Sequence, residues 1–244
     1  MGVLTMARPL EGKIAVVTGA SSGIGRALAI RFGRAGARVA LIARRKNRLE
    51  EVKQEIEKEG SEALIVPADL LDPEQISKAF RDLRRVWKDP EILVNNAGTG
   101  FFGPLVDSKL EEYETIFNLN VRALYLATKE VLPAMIRARE GTIINIGSMA
   151  GKRGLAGSAL YSASKFAVHG FSEALLEEVR SYNVRVAVIH PGLVSTEFFG
   201  RPGVKGNRPD FIQPEDVAEA ALLCASETQT ATFKEIVIRP RRPL

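Results

Sequence analysis

Short apolar runs alternate with longer amphipathic stretches along this chain of 244 residues. The runs are nearly continuous in apolar, largely β-branched residues, which is typical of parallel strands buried on both faces. They lie at Lys13–Thr18, Arg38–Ala43, Ala63–Val66, Ile92–Val94, Thr142–Gly147, Arg185–His190 and Glu235–Ile238. Helical patterns lie between them, at Ile24–Ala35, Asn47–Glu59, Pro73–Val86, Leu110–Arg137 (predicted as two helices), Leu160–Tyr182 and Pro214–Ala225. The alternation predicts an α/β fold with a doubly wound parallel sheet and helices on both faces.

We expect a single domain over residues 1–244, because no internal repeat, low-complexity tract or Pro/Ser-rich linker interrupts the alternation. A chain of this length can bury a sizeable core in one domain. The least regular stretch, at about residues 192–213, is rich in Gly, Pro and Arg. Long loops inside compact domains often cover a ligand, so this stretch is predicted to be a substrate loop.

The cysteine and histidine content restricts the chemistry. Cys224 is the single cysteine, which excludes an intramolecular disulfide and a Cys-rich zinc site. Only His169 and His190 could join carboxylates as metal ligands, so no metal is expected. The first eleven residues lack the apolar segment of a signal peptide, and no run approaches membrane-spanning length. We expect a soluble protein of a reducing compartment, the cytoplasm, without a membrane partner.

The net charge of +5 leaves nucleic acid, an anionic membrane or a phosphorylated ligand as possible partners. Nucleic acid is disfavoured, since the cations do not alternate with aromatic residues in any window. The excess of positive charge is also confined to two short stretches of the sequence. Seven cations without an intervening acid account for all of it, namely Arg44, Arg45, Lys46 and Arg48, with Arg239, Arg241 and Arg242 near the end of the chain. The charge therefore favours a phosphorylated ligand.

A glycine-rich turn follows the first predicted strand and opens the first helix, with the sequence TGASSGIG at residues 18–25. Glycines allow a tight turn and close approach of the backbone to a pyrophosphate, which the N–H groups of the helix N-terminus can bind. The spacing is G-x-x-x-G-x-G rather than the commoner G-x-G-x-x-G. A turn without a ligand is the alternative. The candidate cofactor contacts here are Gly19, Ser21, Ser22, Gly23, Ile24 and Gly25.

The end of the second strand indicates the type of nucleotide. An acidic residue there binds the ribose 2′-hydroxyl of NAD, whereas arginine accommodates the 2′-phosphate of NADP. This chain has Ala43 followed by Arg44 and Arg45, with no carboxylate before Glu50. Cations at a helix N-terminus oppose the helix dipole unless they meet an anion. A solvated cluster is the alternative, but NADP(H) is favoured over NAD(H).

Three side chains could carry acid–base chemistry. Tyr161 and Lys165 are four residues apart in a helical pattern, so they share one face. A cation near the phenol would lower the pKa of Tyr161 toward working pH, as a general acid/base needs. Ser148 ends a strand and would stand at the carboxyl edge of the sheet, where ligands of open α/β sheets bind.

Together these motifs resemble the short-chain dehydrogenase/reductase family. TGASSGIG is followed by NNAG at residues 95–98, Ser148, Tyr161-x-x-x-Lys165 and Pro191-Gly192, in the order and spacing of the family. The similarity extends from about Gly12 to Ile238. It implies a single Rossmann-like domain, a three-layer sandwich with a seven-stranded parallel sheet. It also implies hydride transfer between NAD(P) and an alcohol/carbonyl pair, in a homodimer or homotetramer.

The resemblance assigns roles residue by residue. Tyr161 would be the general acid in reduction and the base in oxidation, Lys165 would tune it and hold the nicotinamide ribose, and Ser148 would polarise the carbonyl. Asn120 would position a water in a proton relay, with Asn118 as the nearby alternative. Further cofactor contacts would be Asp69, Asn96, Ala97, Gly98, Pro191, Gly192, Val194 and Thr196. His169 and His190 are expected to be packed or hydrogen-bonded rather than catalytic.

The substrate is indicated only by composition. An apolar pocket for an alkyl or aryl ketone or aldehyde could be lined by Phe101, Phe102, Met149, Leu155, Phe198 and Phe199. An acidic substrate or acyl carrier could instead meet Lys152, Arg153, Arg201, Lys205 and Arg208. The 3-oxoacyl-[acyl-carrier-protein] reductases of the family usually end in V-D-G-G and have Asn at position 187, but this chain ends in KEIVIRPRRPL and has Ala187. That activity, and a nucleotide-sensing protein without catalysis, are the alternatives to a general carbonyl/alcohol oxidoreductase.

Overall fold

The computed structural model describes residues 8–199, 208, 210–226 and 230–242, and this part of the chain contains seven strands. They are β1 (Ile14–Thr18), β2 (Arg38–Ala43), β3 (Ala63–Pro67), β4 (Ile92–Asn95), β5 (Gly141–Ile146), β6 (Val184–Pro191) and β7 (Glu235–Ile238). All neighbours pair in parallel, in the order β3-β2-β1-β4-β5-β6-β7. The predicted doubly wound α/β fold is confirmed, and each strand ends within one residue of its prediction.

Helices cover both faces of the sheet. They are α1 (Gly23–Arg34), α2 (Lys46–Lys58), α3 (Pro73–Val86), α4 (Leu110–Phe117), α5 (Ala123–Ala138), α6 (Ala159–Val179) and α7 (Pro214–Ala225). Strand β1 shows how the layers are specified, because Ala15 and Val17 pack with α1, α2 and α7, whereas Val16 packs with α3, α5 and α6. Alternate residues of an apolar strand thus fill two cores. Within the described residues, none of the helices is long and apolar enough to span a membrane.

The segment predicted as two helices, Leu110–Arg137, is a continuous helical run with a defect in its middle. Between α4 and α5 the residues Asn118–Arg122 form a π turn, and the backbone stays in the right-handed helical region on both sides of it. A π turn inserts one residue into the α-helical repeat and is frequent at functional sites. Its effect here is to direct Asn120 into the protein, where 2% of its surface is exposed.

The order of the strands locates the site. The chain leaves β1 toward β2 and β3 and then returns to place β4 on the other side of β1, so the direction of winding reverses between β1 and β4. Ligands of doubly wound sheets bind outside the carboxyl ends of the strands at this switch point. The parallel register brings Thr18 beside Ile42, and Asn95 beside Asn145, at that edge.

Candidate active site

A cleft of about 490 Å³ lies at the carboxyl edge of the sheet. Its walls come from the segments that follow β1 to β6, together with helix α6 and the segment after Pro191. Every predicted cofactor contact lines it, namely Gly19, Ser21, Ser22, Gly23, Ile24, Gly25, Arg44, Arg45, Asp69, Asn96, Ala97, Gly98, Tyr161, Lys165, Pro191, Gly192, Val194 and Thr196. Ser148 lines it as well, whereas Asn120 lies behind Gly98.

The glycine-rich turn is held by the segment that follows β4. Gly19 and Gly23 have positive φ angles of 68° and 54°, which L side chains rarely adopt. Thr18 Oγ1 accepts hydrogen bonds from the backbone N–H groups of Asn96 (3.0 Å) and Ala97 (3.1 Å), and the Asn96 amide donates to Thr18 O at 2.9 Å. The turn that opens α1 is therefore braced from behind, with its outer surface toward the cleft.

Gly25 should be the least replaceable residue of this turn. A Cβ atom at Gly25 would collide with the Gly19 carbonyl oxygen and lie 2.5 Å from Asn96 Nδ2. We expect Gly25→Ala to lower the free energy of unfolding by about 1–3 kcal/mol through overpacking, and to weaken NADPH binding. Urea denaturation and a fluorescence titration measure the two effects.

Gly170→Ala is the matched control for that prediction. Gly170 lies within α6, where an added Cβ would meet nothing within 4 Å. Alanine is the better helix former by roughly 1 kcal/mol, so this variant should be as stable as the parent or more so. Equal behaviour of the two variants would contradict the proposed packing of Gly25.

The N-terminus of α1 suits an anion. Its N-cap residue Ser22 makes no side-chain hydrogen bond to the first turn, so the N–H groups of that turn keep their capacity to bind a phosphate. Arg45 lies across the same turn and donates from Nη2 to Ser21 Oγ (3.0 Å) and Ser22 Oγ (2.7 Å). The residues present therefore fit a dinucleotide with an additional phosphate.

The cations of the second strand's end separate into two groups. Arg44 and Arg45 line the cleft, with Arg44 exposed to solvent. Arg48 instead forms an ion pair with Glu197, at 3.2 Å between Nη1 and Oε2. The two predicted contacts, Arg44 and Arg45, thus lie at the cleft, whereas a carboxylate from the segment after β6 partners Arg48.

Tyr161, Lys165 and Ser148 meet on the floor of the cleft. Tyr161 and Lys165 lie one turn apart on α6, and the Lys165 ammonium is 5.8 Å from the centroid of the Tyr161 ring. The Ser148 hydroxyl is hydrogen-bonded to Tyr161 and also accepts from Ala150 N at 3.1 Å. Lys165 Nζ donates to Ile146 O at 2.8 Å, which ties α6 to the end of β5.

Burial controls the ionisation of this group. It raises the pKa of Tyr161, and the hydrogen bond to Ser148 opposes the rise. It also lowers the pKa of Lys165, to about 8. The expectation of a lowered Tyr161 pKa is wrong, because desolvation of the buried phenol is the largest effect and the net direction is upward. Tyr161 is thus a protonated phenol, suited to donate a proton.

Asn120 is fixed by three hydrogen bonds. Its Oδ1 accepts from Thr99 N at 2.8 Å, and its Nδ2 donates to Thr99 O and to Ser164 Oγ, each at 2.9 Å. Ser164 in turn donates to Tyr161 O at 2.7 Å. The π turn therefore links the segment after β4 to the turn of α6 that carries Tyr161.

Comparison with known proteins is decisive for the family. The sequence model described as short chain dehydrogenase matches residues 13–202. The chain belongs to the short-chain dehydrogenase family. An uncharacterized oxidoreductase of Staphylococcus aureus strain MRSA252 is 31% identical over 231 residues, which cover 95% of this chain and 98% of the relative.

Solved structures of other short-chain dehydrogenases share the fold. The crystal structure of a metagenomic short-chain oxidoreductase in complex with NADP is 36% identical, with a TM-score of 0.84 and coverage of 96% of this chain and 100% of the other. L-sorbose reductase from Gluconobacter frateurii, complexed with NADPH and L-sorbose, is 30% identical, with a TM-score of 0.86 and coverage of 96% and 98%.

The apolar residues predicted to line the substrate pocket of this dehydrogenase differ in where they lie relative to the cleft. The Phe102 and Phe198 rings pack on Tyr161, with centroid distances of 5.2 and 5.9 Å. Of the predicted residues, Phe198 lines the cleft, whereas Phe101, Phe102, Met149 and Leu155 are absent from its described lining, and Leu155 is 46% exposed. Phe199 belongs to the short helical turn Glu197–Phe199, but its side chain lies outside the described part of the chain.

Charged candidates of this dehydrogenase are mostly engaged elsewhere. Lys152 pairs with Glu235 (2.9 Å between Nζ and Oε1) and Arg208 pairs with Asp210 (2.6 Å between Nη2 and Oδ2). Arg153 is exposed, and Arg201 and Lys205 lie outside the described residues. Among the described residues, no group of three or more His, Cys, Asp or Glu side chains could hold a metal ion.

Two contacts at the candidate site escape sequence reasoning. Ser164 anchors Asn120, and Glu197 holds Arg48. Ser164 lies three residues after Tyr161 on the same helix, a spacing that could have placed it beside the face that carries Tyr161. Nothing in the spacing of Glu197 indicates its partner, since the pair joins residues 149 positions apart.

Proposed function

We propose that this short-chain dehydrogenase is an NADP(H)-dependent oxidoreductase, which transfers hydride between the nicotinamide and a carbonyl/alcohol substrate with Tyr161 as general acid/base. The observation that carries the proposal is the buried Tyr161 phenol, hydrogen-bonded to Ser148 and backed by Lys165, on the floor of a cleft that fits a dinucleotide. A protein that only bound nucleotide would not need this set.

The preference for NADP(H) is supported by charge. Arg44 and Arg45 follow β2 where an NAD-specific site would have a carboxylate, and Arg45 lies across the turn that opens α1. The metagenomic oxidoreductase was crystallised with NADP and the sorbose reductase with NADPH. These neighbours support the same cofactor for this chain.

The proposed mechanism follows from the three side chains. When bound, the cofactor supplies or accepts the hydride at the substrate carbon. In reduction, the Ser148 hydroxyl donates a hydrogen bond to the carbonyl oxygen and so stabilises the charge that develops there. Tyr161 then donates its proton to that oxygen, which gives the alcohol, and in oxidation it accepts the proton back. Lys165 lies close enough to Tyr161 to stabilise the phenolate that remains.

The pocket favours an apolar carbonyl substrate, such as an aryl or alkyl ketone or aldehyde. Phe102, Phe198 and Tyr161 form a cluster of three rings, in which Phe102 and Phe198 are 6.3 Å apart. An apolar substrate placed against Tyr161 would contact these rings. The ion pairs of Lys152 and Arg208 reduce the support for an acidic substrate or acyl carrier.

The test is a panel of substrates that represents each alternative. NADPH oxidation is followed with aryl ketones, alkyl aldehydes, L-sorbose, 3-oxoacyl thioesters and steroids. We expect the highest kcat/KM with the aryl or alkyl compounds. In that case Phe198→Ala should lower kcat/KM by about 10-fold or more, because it removes apolar surface that packs on the substrate. Phe166→Ala, at an exposed phenylalanine, should leave kcat/KM unchanged.

Each alternative outcome has a clear meaning. Preference for 3-oxoacyl thioesters would replace the proposed substrate class with that of the acyl-carrier-protein reductases. Tight NADPH binding without turnover of any compound would favour the nucleotide-sensing protein.

We also propose, from the family resemblance, a homodimer or homotetramer. Large apolar side chains on the surface support self-association, with Val106 90% exposed and Leu110 67% exposed. The single cysteine leaves no intramolecular disulfide to form, which supports a location in a reducing compartment such as the cytoplasm.

A further inference from the structure

A buried histidine contacts the backbone of the proposed catalytic serine. His190 lies on β6 with none of its surface exposed, and its Nδ1 is 2.9 Å from the carbonyl oxygen of Ser148. The ring also occupies the space beside Gly147, where an added Cβ would stand 2.6 Å from Nδ1. The imidazole therefore touches both residues that lead from β5 into the cleft.

The hydrogen-bond partners of His190 indicate its tautomer. Both polar atoms of the Ser148 backbone lie near Nδ1, the carbonyl oxygen at 2.9 Å and the N–H nitrogen at 3.3 Å. A carbonyl oxygen can only accept, so the shorter of the two contacts favours the hydrogen on Nδ1. With the hydrogen on Nδ1, His190 Nε2 is an acceptor, and it lies 3.2 Å from His169 Nδ1, which is then the donor. The donors thus point in one direction, from His169 to His190 to Ser148.

Charged groups from helix α6, from the chain at the start of β7 and from the segment after Ser148 surround this pair of histidines. His169 Nε2 is 3.4 Å from the carboxylate of Glu173, which also pairs with Lys234 at 2.7 Å. Glu235 of β7 is 3.9 Å from His190 Nε2 and is itself paired with Lys152. Burial lowers the pKa of His190 and keeps its ring neutral, although the hydrogen bond to Ser148 and the Glu235 carboxylate oppose that effect. A neutral ring with a defined tautomer is what a fixed hydrogen bond to Ser148 requires.

We propose that His190 is a positioning residue, whose Nδ1–H fixes the Ser148 peptide and so aims the Ser148 hydroxyl at the substrate oxygen, with His169 selecting the tautomer. The inference rests on the proposed function of Ser148. The peptide group is then held at the carbonyl by His190, while Ser148 Oγ accepts from Ala150 N on the other side. A catalytic group misplaced by about 1 Å can lose roughly 100-fold in rate.

The tautomer can be measured without turnover. Long-range proton–nitrogen NMR spectra of the full chain, with ¹⁵N-labelled histidine, distinguish Nδ1–H from Nε2–H. We expect the Nδ1–H form for His190, assigned by its absence from the His190→Asn spectrum. An Nε2–H ring would overturn the proposal even if the protein proved inactive, which separates this inference from the proposed function.

Kinetics of three variants test the consequence. His190→Leu leaves Ser148 O without its donor, and we expect kcat to fall about 10- to 100-fold while KM and the NADPH Kd stay within about twofold. His190→Asn places an amide N–H near the position of Nδ1 and should recover most of the loss. His169→Leu, at a partly exposed site, should give a smaller fall in kcat.

Results of two kinds would contradict the proposal. One is an unchanged kcat in a folded His190→Leu variant. The other is a loss that His190→Asn, with the same melting temperature as the parent, does not recover. If His190→Leu does not fold, the comparison of His190→Asn with His169→Leu decides, since a purely structural ring would leave kcat of the folded His169→Leu variant unchanged.

Discussion

We expect Tyr161→Phe to lower kcat by about 10³-fold or more, since general acid–base catalysis contributes roughly 10²–10⁴ and phenylalanine has no proton to donate. The phenyl ring keeps the packing against Phe102 and Phe198, at centroid distances of 5.2 and 5.9 Å. Only the proton donor is removed. Steady-state NADPH oxidation gives kcat, and a fluorescence titration should show an unchanged NADPH Kd.

The control for this variant is Tyr125→Phe, which removes a phenol that is 43% exposed on α5. It should leave both kcat and the NADPH Kd unchanged. Turnover by Tyr161→Phe within about tenfold of the parent would exclude Tyr161 as the proton donor.

The second large effect concerns cofactor choice. We expect the double variant Arg44→Ala/Arg45→Ala to raise the NADPH Kd by about 100-fold and to change the NADH Kd by less than about threefold. The variant removes charge-assisted hydrogen bonds to a phosphate, each worth about twice a neutral hydrogen bond. The single variants apportion the effect, and we expect Arg45→Ala to be the larger because its guanidinium lies across the turn that opens α1.

Arg34→Ala serves as the charge-matched control for each single variant. Arg34 pairs with Glu59 at 2.9 Å, at the far end of α1 from the cleft. The variant changes the net charge by one unit without touching the glycine-rich turn. If NADPH and NADH binding weakened equally in the double variant, the 2′-phosphate would not be the partner of these arginines.

Much of the fold follows from local periodicity. Strand β2 and helices α3 and α7 begin and end at the predicted residues. Asp72 accepts from Glu74 N and Gln75 N, ahead of Pro73, as the start signal of α3 predicts. Such elements are predictable because the physics that defines their ends acts within four residues of chain.

The parts of the site that sequence reasoning does not reach depend on long-range geometry. Four neighbouring cations are equivalent in sequence, yet Arg45 contacts Ser21 and Ser22 while Arg48 pairs with Glu197. The direction of the Tyr161 pKa shift is another such property, since desolvation depends on how completely the folded chain covers the phenol. Burial of this kind arises from packing between elements, which spacing along the chain does not reveal.

The π turn between α4 and α5 sets regular helical hydrogen bonding against the placement of Asn120. Each residue of an α-helix turns the chain through about 100°, so one inserted residue puts the buried side of α5 out of phase with that of α4. A chain shortened by one residue in this turn would regain unbroken α-helical hydrogen bonding, but Asn120 would rotate away from Thr99 and Ser164. The most regular helix and the hydrogen bonds of Asn120 beside the cleft therefore require chains of different length at this turn.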